Sequence, residues 1–128
     1  DQAINFVINS FTKMIGGEIF VPKLPSYNIK QLTDVIAPES EVKVLGIRPG
    51  EKQYESMVSK NESYNTIECD DYYVILPSTI DSQYKRSLFT NKYGNNYCTP
   101  GFEYSSDKNI LIENSILKQF VDDYKSNN

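Results

Sequence analysis

Histidine and tryptophan are absent from this 128-residue chain, and cysteine and methionine occur only twice each. Without histidine there is no Ser-His-Asp or Cys-His arrangement to activate a nucleophile, and no histidine-based metal site. Cys69 and Cys98 are too few for a disulfide framework. They can pair or stay free, and with no secretion signal the reduced, cytosolic state is favoured. No apolar run approaches the length that spans a bilayer, and the N-terminus lacks a basic region followed by an apolar stretch. A surplus of positive charge is missing too. The 13 Lys and Arg are interspersed among 17 Asp and Glu for a net charge of −4, which argues against a nucleic-acid or anionic-membrane partner. The ten tyrosines do not reverse this, because base stacking works beside a basic groove. Also lacking is a G-x-G-x-x-G turn between a strand and a helix, the phosphate cradle of a dinucleotide site. The length suits one modest domain with one core, and is too short for a nucleotide-binding fold plus a substrate domain.

Patterned apolar residues are present. Ala3, Ile4, Val7, Ile8, Phe11, Met14 and Ile15 recur at helical spacing before Gly16-Gly17, predicting an amphipathic helix whose stripe needs a cover. Residues 18–21 predict a short strand closed by Pro22 and Pro25. A second helix follows, with Asn28 and Gln31 at capping-box spacing, Ile29, Leu32 and Ile36 on one face, and Pro38 as its stop. Residues 42–45 predict a strand running into a loop, then a short helix through Tyr54 and Met57. Residues 72–76, aromatic and β-branched, predict a further strand stopped by Pro77. Residues 78–100 are polar and aperiodic, predicting loops with one short helical turn near 85–89. Residues 114–125 predict a last helix with Ile116, Leu117, Phe120, Val121 and Tyr124 on one face, and 125–128 a frayed tail. The fold class expected is α/β in the mixed α+β sense.

The most pointed chemistry lies in Gly46-Ile47-Arg48-Pro49-Gly50-Glu51-Lys52. A guanidinium at position 48 can take a diphosphate through paired hydrogen bonds. A carboxylate at Glu51 suits two neighbouring hydroxyls, as on a ribose. On the bare pattern, an Arg-Pro-Gly-Glu turn is more often a surface turn with an incidental ion pair. Lys23, between two prolines, is either close to a substrate phosphate or sugar or a plain surface lysine. Lys52 is a weaker partner of Arg48 and balances Glu51. Tyr104 and Lys108 form a Y-x-x-x-K, but the intervening Ser105-Ser106-Asp107 is turn chemistry, marking the pair as a decoy. Glu68, Asp70 and Asp71 lack the spaced oxygen ligands and the glycine of a calcium loop and fit a solvated acidic turn.

Four segments stand in a telling order: Gly17-Glu18-Ile19-Phe20-Val21-Pro22-Lys23-Leu24-Pro25-Ser26, the loop at 46–52, Asp71-Tyr72-Tyr73-Val74-Ile75, and Gly101-Phe102-Glu103-Tyr104-Ser105-Ser106-Asp107. Together they resemble the C-terminal part of the inverting UDP-N-acetylglucosamine 4,6-dehydratases. These are extended short-chain dehydrogenases/reductases that open the route to pseudaminic-acid-type sugars. The match runs from the first residues to about Tyr73, lapses, and returns near Gly101. The resemblance implies a small substrate-binding lobe lacking most of the Rossmann domain, with residues 1–17 a helix from the end of the nucleotide-binding domain and 18–128 the lobe itself. It implies UDP-N-acetylglucosamine as ligand, with Arg48 on the diphosphate and Glu51 on the uridine ribose; Tyr73 or its neighbours are expected to shape a wall of the substrate site, and Lys23 is a candidate contact by its position alone.

In that family NADP and the catalytic Tyr and Lys belong upstream of the matching region. This chain alone is therefore expected to hold no cofactor and to lack dehydratase activity. It begins at Asp1 in mid-helix, and is expected to be part of a longer cytoplasmic enzyme that is a homo-oligomer when intact. Two departures stand out: Glu51 where the superfamily often has Asp, and Gln53 where relatives carry an aliphatic residue, which bears on packing under the loop. The alternative is a stand-alone, catalytically inactive nucleotide-sugar-binding or protein-interaction module. That alternative needs the first helix covered by the chain's own core.

Overall fold

The computed structural model describes residues 2–79 and 83–126. Its elements in chain order are α1 (Gln2–Lys13), β1 (Ile19–Pro22), α2 (Ile29–Ile36), β2 (Ser56–Val58), β3 (Thr66–Glu68), β4 (Tyr72–Ile75), α3 (Gln83–Tyr93), β5 (Tyr104–Ser105) and α4 (Asn114–Ser126). A 3₁₀ turn, Ser63–Asn65, precedes β3. The mixed α/β class expected from the sequence is what the structure has. The chain divides into two compact units, Asp1–Leu24 with Ser56–Tyr104 and Pro25–Glu55 with Ser105–Asn128.

The first unit is organised by β4, whose aromatic and β-branched residues suit a strand buried on both faces. It is the middle strand of the antiparallel sheet β1-β4-β3, with Val21 opposite Tyr73 and Ile67 opposite Val74. Alternation along β4 sends Tyr73 and Ile75 to one face, where Val21, Val58 and Cys98 join them. Val74 and Leu76 go to the other, with Ile67 and Phe89 of α3. Ile67 and Val74 are 0% exposed, the centre of the second cluster. The two cysteines are free and pack in different clusters, Cys98 in the first and Cys69 against the second. With the sheet between them they have no route to a disulfide.

The stripe on α1 forms as its spacing predicts, yet no residue of the helix is buried. Phe11 is 70% exposed, and Ile4, Val7 and Ile8 are exposed beside it. What ties down the helix end is Glu18, itself buried. Its carboxylate accepts hydrogen bonds from the Ile15 N–H, from the Gly16 N–H at 2.6 Å and from the Tyr93 hydroxyl at 2.7 Å. The Tyr93 hydroxyl also reaches the Lys13 carbonyl oxygen at 2.9 Å. Burial by itself would raise the Glu18 pKa, but the bonds from Tyr93, Ile15 and Gly16 prevail and hold it below the usual carboxylate range. Gly17 beside it has φ +84°, and a Cβ there would lie 3.1 Å from the Pro77 ring, so this position needs glycine on two counts.

In the second unit, Asn28 caps α2 by accepting the Gln31 N–H at 2.7 Å. The reciprocal half of the capping box is not made. The Gln31 amide instead donates to the Ile112 carbonyl at 2.5 Å and the Asn114 side chain at 2.8 Å. α2 packs on α4, and Leu117 and Ile112 are buried. Ser26 bridges to the strand-like stretch at Leu111 through Ser26 N–H to the Ile110 carbonyl (2.9 Å) and Ile112 N–H to the Ser26 carbonyl (2.8 Å).

Three expectations need correction. Residues 42–45 form no strand: the run has no regular secondary structure and is exposed, with Val44 88% exposed. Its β-propensity has no strand alongside, and a strand is defined by its partner. The helix expected through Tyr54 and Met57 is absent, and Ser56–Val58 is β2 instead, in a ribbon with β5. The short helical turn expected at 85–89 is the core of the eleven-residue α3.

Candidate functional site

The loop at 46–52 is built on a tight turn. Pro49 and Gly50 occupy its central positions, Gly50 has φ +87°, and the Glu51 N–H donates to the Arg48 carbonyl at 3.0 Å. Proline at the first central position and glycine with positive φ at the second is the pattern of a type II turn. The Glu51 side chain closes the same turn from the other end, its Oε2 accepting the Arg48 N–H at 2.9 Å. The Arg48 Nε lies 4.0 Å from Glu51 Oε1, with both side chains largely in solvent. Lys52, expected to balance Glu51, pairs with Glu55 at 3.7 Å. The Arg48–Glu51 pair contributes little to stability at such exposure. Its consequence is geometric: both backbone polar groups of Arg48 are engaged by Glu51, while the guanidinium's fork of donors faces water.

Lys23 and Tyr73 come together in the first unit. Lys23 Nζ sits 4.9 Å from the centre of the Tyr73 ring and 2.7 Å from Glu68 Oε1. Burial pulls the ammonium pKa down, but the hydrogen bond and charge of Glu68 outweigh it, and the net direction is up. The Tyr73 ring is buried between Phe102 and Tyr104, with centroids 5.4 and 5.1 Å away. Tyr73 therefore acts as a floor beneath Lys23.

Of the four residues singled out from the sequence, the fold brings Arg48 to Glu51 and Lys23 to Tyr73, and the two pairs belong to different units. Glu68 was expected in a solvated acidic turn. It ends β3 and holds Lys23. No local signal announces this, because the pairing depends on the β1-β4-β3 register, which places Glu68 and Val21 on either side of Tyr73. Glu18, read from the sequence as the start of a strand, was likewise missed as a buried hub. Tyr104 and Lys108 do not form a helical pair. Tyr104 lies in β5, its hydroxyl donating to the Leu24 carbonyl and accepting the Leu24 N–H, both at 2.8 Å, and Lys108 lies in the following turn. Among the described residues no cluster of acidic and cysteine side chains is arranged for a metal ion. No helix among them is long and apolar enough to cross a membrane.

Comparison with known proteins places this geometry in a lineage. Residues 1–77 match the family model described as polysaccharide biosynthesis protein. A UDP-N-acetylglucosamine 4,6-dehydratase (inverting) from Campylobacter jejuni is 40% identical over 113 residues, which is 87% of this chain and 34% of that protein. An uncharacterized membrane protein of Methanocaldococcus jannaschii is 33% identical over 102 residues, 71% of this chain and 31% of its own length. In structure, the chain is similar to Pen from Bacillus thuringiensis, with a TM-score of 0.71 at 24% identity, over 96% of this chain and 35% of that one. The chain thus spans about a third of the length of the proteins it matches. With more than half its residues inside the family model, the chain belongs to the polysaccharide biosynthesis protein family, and its kinship there extends to the inverting UDP-N-acetylglucosamine 4,6-dehydratases.

Proposed function

We propose that the chain is the UDP-sugar-binding, C-terminal part of a UDP-N-acetylglucosamine 4,6-dehydratase of the inverting type, serving nucleotide-sugar and polysaccharide biosynthesis of the pseudaminic-acid kind. The observation that carries this is the turn at 48–51, which holds Arg48 by both backbone groups and leaves its guanidinium open. A planar cation on a rigid turn matches a diphosphate in bidentate fashion. Arg48 clamps the diphosphate, and Glu51 takes a ribose hydroxyl with the oxygen it does not spend on the backbone. Within the first unit, Lys23, held by Glu68 and floored by Tyr73, is a separate candidate contact for substrate.

Residues 1–17 end the nucleotide-binding domain in this proposal, and 18–128 form the substrate lobe of a cytoplasmic homo-oligomer. The residues described do not fit a dinucleotide: β1 ends at Pro22 and leads into Lys23-Leu24-Pro25, not into a glycine-rich turn opening a helix. NADP is accordingly assigned to the Rossmann portion outside this chain, and this chain alone is inactive as a dehydratase. The stand-alone module requires α1 to be covered by its own core, and the exposed stripe weighs against it.

The test is calorimetric titration of the chain with UDP-N-acetylglucosamine. Arg48→Ala should weaken binding by on the order of 1–3 kcal/mol, the scale of a lost charge-assisted contact. Unchanged affinity in that variant would sink the assignment.

A further inference from the structure

Glu51 sits where an anionic ligand would find it unwelcome. Its carboxylate lies beside the guanidinium proposed to receive a diphosphate, with Oε1 4.0 Å from Arg48 Nε. A like charge next to a bound anion repels it, so on electrostatics alone the site would be better without Glu51. The structure offers a reason for the carboxylate to be there. Oε2 accepts the Arg48 N–H at 2.9 Å while the Glu51 N–H donates to the Arg48 carbonyl at 3.0 Å. One residue thus satisfies both backbone polar groups of the other, across a turn whose geometry Pro49 and Gly50 already favour. The backbone direction at Arg48 is fixed before any ligand arrives. An arginine so held loses less freedom on binding than one on a loose loop.

We infer that Glu51 is a positioning residue for Arg48: by closing the 48–51 turn on the Arg48 backbone, it sets the guanidinium for a diphosphate, apart from any contact with ribose. This rests on the nucleotide-sugar reading given above. It adds a prediction whose sign differs from that of a simple charge effect.

The experiment uses a ligand with no ribose. The 128-residue chain is titrated with inorganic pyrophosphate and, separately, with UDP. Glu51→Ala should weaken pyrophosphate about fivefold, the scale of one lost hydrogen bond, although it removes a repelling charge. Glu51→Gln keeps an oxygen that can accept the Arg48 N–H, and should bind pyrophosphate as well as the unmodified chain or better. In an Arg48→Ala background the Glu51→Ala loss should vanish, since the effect passes through Arg48. The backbone amide resonance of Arg48 gives a readout free of ligand. It should move in Glu51→Ala and return towards its original position in Glu51→Gln.

If Glu51→Ala binds pyrophosphate as tightly as the unmodified chain, or more tightly, and loses affinity only for UDP, Glu51 is a ribose contact alone and the inference is wrong. If Arg48→Ala leaves both ligands unaffected, the nucleotide-sugar reading itself fails and takes this inference with it.

Discussion

At the scale of single residues, the most consequential side chain is Glu18. Three donors converge on a carboxylate that burial alone would push towards the neutral form. Because its folded pKa lies below the unfolded value, its stabilisation is fully present above the ordinary carboxylate range and is lost as pH falls through that range. Urea midpoints measured from pH 7 down to pH 3.5 should therefore fall in the native chain, and fall less in Glu18→Gln. At pH 7 that variant should be less stable by roughly 1–3 kcal/mol, since a carboxamide offers a single acceptor oxygen to three donors. A pH dependence identical in the two proteins would remove Glu18 from its assigned role. The sequence shows Glu18 only as the residue after two glycines. Its partner Tyr93 lies in the aperiodic region where only a short helical turn was expected, so the hub could not be foreseen. Arg48 and Glu51 were legible for the opposite reason: a Pro-Gly turn is local chemistry, and it holds both residues within its own four positions.

At the scale of elements, helices were easier to find than strands. The stripes of α1 and α4 and the Asn28 cap of α2 are written in contiguous residues, and all three helices form near their expected bounds. Strands β2, β3 and β5 are two or three residues long and carry too little alternation to register as strands. Residues 42–45 are the converse case, with strand composition and no neighbouring strand to complete it. β4 unites both conditions, and the first unit depends on it. Ile67 pairs with Val74 across the ladder and is fully buried. Ile67→Ala should cost about 2–5 kcal/mol, a lost side chain plus the cavity it leaves, measured by denaturant unfolding. A loss below 1 kcal/mol would mean that this face of the sheet is not a packed core.

At the scale of the whole molecule, the amount of large apolar surface left open is more than scattered exposure explains. Ile4, Val7, Ile8 and Phe11 form one continuous helix face, and Phe6, Val7, Phe11, Met14, Ile19 and Phe20 line a groove of about 290 Å³ beside it. In isolation the 128-residue chain should self-associate through this face. Sedimentation velocity should show a concentration-dependent shift to larger species, and Phe11→Glu should shift it back towards monomer. The same substitution should change unfolding stability by no more than about 0.5 kcal/mol, because the side chain is mostly in water already. A monodisperse monomer at high concentration would show that the stripe needs no cover. The mixed fold class could be read from the sequence because it follows from the order of elements. The division into two units could not, since each is assembled from separated stretches of chain.

Cys98 carries a consequence of a different kind. It is buried in the cluster with Val21, Tyr73 and Ile75, and burial, reinforced by the nearby Glu68 charge, pushes its thiol up to about 11. At neutral pH such a thiol is protonated and shielded, so an alkylating reagent must wait for the sheet to open. Cys98 is in this sense a stopwatch sealed into the fold. Its labelling rate, set against that of the same thiol in urea, should measure how often this face parts from its neighbours, without any added probe. Labelling as fast as in the unfolded chain would mean that the face is open to solvent at rest.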